Sequence, residues 1–292
     1  MPPESLPGFR SRWPLVDRLC LMAGCLPRTP FRELVRVAAG VGFDAVTCWP
    51  NMWRHAQRVQ GLTLPDMRRL LDDHGLVVTE VEACDDWVAT PPAGMVSRRP
   101  PPPRAEYLEV CTALGARTLL AAHAIGASVV TTEDIAGFAL LCDDAARRGL
   151  RVALEYVPFT GVPDLPTALR VLHEIARPNA GLVVDVAHHA RSGGRPDDLR
   201  SLRPELVFTI QLADGGSDTP TDLLDEAMFH RRLPGDGELP ISADLRALAE
   251  IGVRATVGPE IFRPGTNEST AHEIVGELYA STVKLLDQTC RT

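Results

Sequence analysis

One phrase recurs along this chain and limits its fold more than any other feature: the end of an amphipathic stretch, a glycine, then a short apolar run. It appears as Gly40-Val41-Gly42-Phe43-Asp44, His74-Gly75-Leu76, Leu114-Gly115-Ala116, Arg148-Gly149-Leu150 and Ile251-Gly252-Val253. A glycine at that point suits the left-handed residue that closes a helix. Helix, glycine, strand, repeated, describes a chain of βα units. The apolar runs are Leu19–Ala23, Ala45–Trp49, Val77–Glu82, Thr118–Ala122, Val152–Tyr156, Gly181–Asp185, Val207–Leu212 and Thr256–Ile261. Between them, Phe31–Val41, Asp66–His74, Glu106–Leu114, Glu133–Arg148, Leu165–Ala176 and Ile241–Ile251 carry apolar residues at helical spacing.

About eight such units within 292 residues predict an α/β protein, a single (β/α)8 TIM barrel. The barrel is expected over residues 19–262 with a C-terminal helix near 268–288, so that 1–292 forms one domain. A doubly wound open sheet is the competing architecture. No GxGxxG follows the first strand to support a nucleotide-binding version of it. Two irregular segments follow strands and so belong on the catalytic side of a barrel: the proline-rich Thr90–Pro103, and Asp214–Pro234 with a short helix near Leu223–Phe229.

Composition removes several functions. A formal charge of −8, with arginines spread among acids, lacks the basic footprint of a nucleic-acid binder. The chain's one lysine, Lys284, falls in the last helical segment, which leaves no lysine for Schiff-base or pyridoxal chemistry. Seven scattered cysteines without a CxxC pair read as reduced thiols. With no signal-like or membrane-length apolar run, the expected location is cytoplasmic, with no membrane partner.

The chemistry is expected where barrel strands end. Reading those positions gives Glu155 in ALEY, Asp185 in LVVDVAHH, Gln211 in FTIQLAD and Glu260 in VGPEIF. Each polar residue ends or interrupts an apolar strand, and the four fall on strands five to eight. A single acid there can be a helix cap, but four in register read as a cluster. Three carboxylates and an amide oxygen form a hard, all-oxygen donor set suited to one divalent ion, Mn²⁺ first, with Mg²⁺ or Co²⁺ next. His123, Glu82 and Trp49 also stand at strand ends, the first as a candidate substrate contact and the others as pocket lining or core.

From about Leu19 to Phe262 the chain resembles the xylose isomerase-like TIM-barrel superfamily of sugar phosphate isomerases and epimerases. The resemblance is carried by GFDAV, HGL, Leu114-Gly115-Ala116, ALEYVPFTG, NAGLVVDVAHHARSG, QLAD, HRRLPGDGEL and GPEIF. It implies the same four metal ligands, Glu155, Asp185, Gln211 and Glu260. It also implies substrate contacts from His188 and Arg232. Arg191 precedes Ser192-Gly193-Gly194, a position from which it can bind an anionic group or bond backbone carbonyls. Many epimerases of this kind carry histidine as the third ligand. Glutamine there, with QLAD and the following RxxPGxG, resembles the 3-dehydroshikimate dehydratase branch, whereas ALEYVPFTG is closer to the general isomerase group.

The implied reaction removes a proton beside a carbonyl of a small polyhydroxy compound, with Glu155 and Glu260 moving it and His188 and Arg232 holding substrate oxygens. Isomerisation or epimerisation is the first expectation, and dehydration of the dehydroshikimate or inosose type the second. An endonuclease-like barrel would need a histidine-rich zinc site, and the strand ends here are poor in histidine. Related barrels often dimerise, which makes a homodimer the assembly to look for. The sequence does not name the substrate.

Overall fold

The computed structural model describes residues 12–89, 102–263, 265 and 268–289. The proline-rich Thr90–Pro103 segment lies outside them except for its last two residues, as does Cys290. Eight strands close a parallel barrel in sequence order: β1 (Val16–Leu21), β2 (Ala45–Cys48), β3 (Val77–Cys84), β4 (Thr118–Ala122), β5 (Arg151–Glu155), β6 (Ala180–Asp185), β7 (Val207–Leu212) and β8 (Ala255–Pro259). β8 pairs back onto β1, so none of the eight is left as an open edge. The helices α1 (Phe31–Val41), α2 (Pro50–Arg58), α3 (Leu64–Asp73), α4 (Arg104–Leu114), α5 (Thr132–Ala146), α6 (Leu165–Ile175), α7 (Val186–Arg191), α8 (Pro196–Arg200), α9 (Ile241–Glu250) and α10 (Glu268–Thr289) complete it. No described helix is long and apolar enough to cross a membrane.

Local sequence explains why helices start and stop where they do. Thr63 with Asp66, and Thr131 with Asp134, form reciprocal capping boxes that satisfy the first free N–H groups of α3 and α5. At the other end, Gly115 closes α4 with φ 74°, a conformation in which a Cβ would be strained. α7 and α8 are too short to show a helical period, α2 buries Met52, Trp53 and Ala56 at helical spacing, and α2 and α8 open on a proline at the first turn. Proline there is compatible with a helix start but is also a turn signal.

Strand alternation separates two apolar layers. On β5, Val152 and Leu154 pack outward into the main core, while Ala153 faces the bore with Leu120 and Val183. Glu155 continues the inward series two residues on, and Asp185 follows Val183 in the same way on β6. Register then lines up the strand ends, with Glu155 beside Val183, Asp185 beside Gln211, and Gln211 beside Gly258. The barrel is thus what carries residues 26 to 105 positions apart in sequence to one mouth.

Closure of that mouth requires glycine at 258. A Cβ on Gly258 would lie 1.8 Å from the Cys20 carbonyl oxygen, a backbone atom of β1 that has no room to withdraw. Gly258→Ala is expected to lower stability by about 3 kcal/mol or more, at the upper end of overpacking costs. Thermal and denaturant unfolding measure this, and a variant as stable as the parent would contradict the β8–β1 closure.

Candidate metal and catalytic centre

Glu155, Asp185, Gln211 and Glu260 all lie buried at the C-terminal ends of consecutive strands. Glu260 is the first residue after β8, and its N–H donates to the Leu212 carbonyl at 2.9 Å, extending the ladder beyond Pro259. Its backbone is held on several sides. The Cys25 thiol donates to the Pro259 carbonyl at 3.1 Å and accepts from the Ile261 N–H at 3.4 Å. Arg231 Nη1 donates to the Glu260 carbonyl at 2.9 Å. Gly24, three residues after β1, leaves the side chain room: a Cβ there would sit 3.2 Å from Glu260 Oε1.

Asp185 serves two purposes. Its Oδ1 caps α7, accepting from the Ala187 and His188 N–H groups at 2.8 and 2.9 Å. Its Oδ2 accepts from Arg231 Nη2 at 2.8 Å. A helix cap and a cluster member are therefore the same residue, not alternatives. His188 stands over the pair, its Nε2 3.9 Å from Glu155 Oε1 and 3.8 Å from Asp185 Oδ2. Glu155, Asp185 and His188 each offer a donor atom, all within 4.8 Å of one another, a separation one cation can bridge. Gln211 is fully buried, yet neither its Oε1 nor its Nε2 has a hydrogen-bond partner among the described residues. A buried amide left unpaired is costly, which marks this side chain as awaiting a ligand.

Electrostatics point the same way. Burial, then Glu260 and Asp185, push the Glu155 carboxyl well above the usual carboxylate range. Burial, then Glu82 and Asp185, do the same to Glu260. Burial also works to raise Asp185, but Arg231 and His188 outweigh it and hold this carboxyl below its ordinary value. Burial drives His188 down to about 4, so its ring is neutral at physiological pH, and Arg231 Nη2 stands 3.1 Å from its Nε2 as a hydrogen-bond donor. A cation amid these oxygens would relieve the mutual repulsion that now raises Glu155 and Glu260.

The arginine that reaches the cluster is Arg231, whereas Arg232, where the sequence placed this role, is exposed. The cause is a clamp. Asp214 and Arg232 exchange backbone hydrogen bonds of 3.1 and 2.8 Å, and the extended backbone at Arg231 turns its side chain to the other side. Asp214 anchors the whole turn, its carboxylate accepting from the Gly235 and Leu239 N–H groups. Two adjacent arginines in HRRLPGDG gave no sign of which would face inward.

The other expected contacts are already engaged within the protein. Arg191 binds Glu226 through Nε at 2.7 Å and the Gly216 carbonyl at 2.9 Å. It lines a small cavity with His188, Asp214, Glu226 and Arg231. His123 accepts from the Gly161 N–H at Nδ1, and its Nε2 lies 3.3 Å from the Asp134 cap. This histidine ties the end of β4 to α5 and to the loop after β5. Trp49 packs on Phe262, its indole N–H buried without a partner among the described residues.

Two carboxyls join the bore from β3. Thr47 donates to Glu82 Oε1, and Thr209 donates to Glu80 Oε1. Burial raises Glu80 to about 7, and burial with Glu80 raises Glu82 to about 8. The signal for them was two acids spaced by two inside an apolar strand, which is the spacing of one strand face.

Comparison with known proteins finds the same fold. The family described as xylose isomerase-like TIM barrel matches residues 35–281. An inosose isomerase from Bacillus subtilis is 28% identical over 188 residues, which take in 62% of this chain and 66% of that protein. The chain thus spans just under two thirds of that relative. A 3-dehydroshikimate dehydratase from Pseudomonas putida is 25% identical over 169 residues, covering 58% of this chain and 26% of that protein. The solved structure of the IolI protein with a zinc atom superposes with a TM-score of 0.80 at 22% identity, over 93% of this chain and 99% of that one.

The two arginines can be told apart by experiment. Arg231→Met leaves Asp185 buried without its partner and is expected to cost about 3–5 kcal/mol in denaturant unfolding. Arg232→Met is expected to stay within about 0.5 kcal/mol of the parent. Equal costs would contradict the assignment of Arg231 to the cluster.

Proposed function

Because the chain belongs to the xylose isomerase-like TIM barrel family, we propose that it is a divalent-metal-dependent isomerase or epimerase of a small polyhydroxy carbonyl compound. The observation that carries the proposal is the buried set Glu155, Asp185, Gln211 and Glu260, in which the amide of Gln211 has no partner among the described residues. These four residues would hold the ion, with the His188 ring nitrogen beside them. A donor set of carboxylate and amide oxygens favours Mn²⁺, with Mg²⁺ or Co²⁺ as the next choices. When bound, such an ion supplies Lewis-acid stabilisation of a substrate oxyanion.

The chain's own residues then divide the work. Glu155 and Glu260 stand at strands three apart around the barrel, β5 and β8, and would remove and return a proton at carbon from different sides. Burial and neighbouring carboxyls raise both groups, and a cation would draw them back toward the carboxylate form that accepts a proton. His188 and Arg231 would hold substrate oxygens, Arg231 through the positive charge that also steadies Asp185. Arg232 would act only from the exposed side of the turn. Arg191, paired with Glu226, would shape the wall of the cavity. His123 would brace it from β4. This chemistry fits a cytoplasmic setting, since the described cysteines are buried and unpaired.

Dehydration is the second reading. Gln211 in place of histidine favours it, as does the similarity to a protein named 3-dehydroshikimate dehydratase. Both outcomes begin with the same proton removal and differ in what the next carbon carries.

Adding Mn²⁺ to chelator-treated protein is expected to raise the unfolding temperature, by the equivalent of about 2.7 kcal/mol at a hundredfold excess over the dissociation constant. Asp185→Asn and Glu260→Gln should each abolish that rise while the fold survives. A full rise in both variants would remove these residues from the ligand set.

A further inference from the structure

The four strand-end donors occupy only half of the barrel mouth, on β5 to β8. The other half presents Gly24 after β1, Thr47 and Trp49 on and after β2, Glu82 on β3 and His123 after β4. His123 is engaged at both ring nitrogens. Glu82 is the carboxyl on this side, and it is 1% exposed. Thr47 donates to Glu82 and accepts from the Ala23 N–H, and a Cβ on the next residue, Gly24, would sit 3.2 Å from Glu260 Oε1, so Glu82 and Glu260 flank one stretch of the mouth.

The surroundings of Glu82 fix which of its oxygens is available. The Ala23 N–H donates to Thr47 Oγ1 at 2.6 Å. With that lone pair used, the Thr47 hydroxyl directs its own hydrogen at Glu82 Oε1. Oε1 is therefore an acceptor, and the proton of the acid form belongs on Oε2. On the same half of the mouth, the indole N–H of Trp49, whose ring packs on Phe262, is buried with no partner among the described residues.

The geometry points to Glu82 as a further catalytic residue, a proton shuttle for the substrate oxygens on the side of the mouth opposite the strand-end donors. This rests on the isomerase reading above. Moving a carbonyl to the neighbouring carbon needs two kinds of transfer. One hydrogen leaves the hydroxyl-bearing carbon and another arrives at the former carbonyl carbon, which is the work assigned to Glu155 and Glu260. Meanwhile the former carbonyl oxygen must gain a proton and the neighbouring hydroxyl must lose one. Glu82 Oε2 gives its proton to the first oxygen, becoming a carboxylate, and then takes one from the second. Its acid form is regenerated within the turnover, and no oxidant, reductant or co-reactant is consumed.

The shuttle is separable from carbon-proton removal, and that makes it testable. The manganese-loaded protein is incubated in deuterium oxide with inosose, and in parallel with 3-dehydroshikimate, and followed by NMR. The parent should incorporate deuterium beside the carbonyl and convert one ketone to its isomer. Glu82→Gln should keep one metal ion per chain by elemental analysis and keep the deuterium incorporation, while conversion falls at least 100-fold. Thr47→Val, which frees the carboxyl to rotate, should fall between the two and serves as the check where Glu82→Gln does not fold. Conversion by Glu82→Gln within threefold of the parent would overturn the shuttle, as would loss of metal, which would make Glu82 a ligand. A parent that incorporates no deuterium from either ketone contradicts the isomerase reading itself, and the shuttle with it.

Discussion

Like charges packed at the mouth and in the bore of one barrel are the constraint on which the rest of this structure depends. Glu80, Glu82, Glu155, Asp185 and Glu260 are all buried, and among the described residues the buried arginine that faces them is Arg231. Burial alone makes five such groups costly, and mutual repulsion adds to it. The structure answers with different devices at different sites. Asp185 is held ionised by Arg231 and by two helix N–H groups. Glu80 and Glu82 each receive a threonine hydroxyl and titrate near 7 and 8. Glu155 and Glu260 are left with raised carboxyls and the unpaired amide of Gln211 beside them, an arrangement that a cation completes.

That constraint also accounts for features that otherwise look incidental. Gly258 and Gly24 remove side chains at the points where β8 meets β1, and so let Glu260 enter the mouth. The Cys25 thiol, pushed up to about 12 by burial, stays protonated and pins the backbone on both sides of Glu260. Asp214 gathers the turn that aims Arg231 inward. Precision at the carboxylates is built from backbone contacts some distance from the chemistry.

Much of this was legible in the sequence because it is periodic. Helix–glycine–strand phrases are local, and each of the five glycine sites has a left-handed glycine at or next to the helix end, at Gly42, Gly75, Gly115, Gly149 and Gly252. Strand ends are also local, so Glu155, Asp185, Gln211 and Glu260 could be picked out before any geometry was known, and the structure brings all four to one mouth. Boundaries moved by one to three residues, as at β1, which runs Val16–Leu21 and not Leu19–Ala23. What could not be read depends on contacts between distant segments. The choice between Arg231 and Arg232 is made by a bridge to Asp214, and the pairing of Glu80 with Thr209 spans the bore between residues 129 positions apart. The engagement of Arg191 by Glu226 and of His123 by Gly161 is likewise tertiary.

The central claim is that the strand-end side chains of β5 to β8 surround one divalent ion. Crystals grown with Mn²⁺ and measured at the manganese absorption edge test it most directly. The account predicts a single strong anomalous peak within coordination distance of Glu155, Asp185, Gln211 and Glu260. A peak elsewhere, or none with these side chains well ordered, would contradict it.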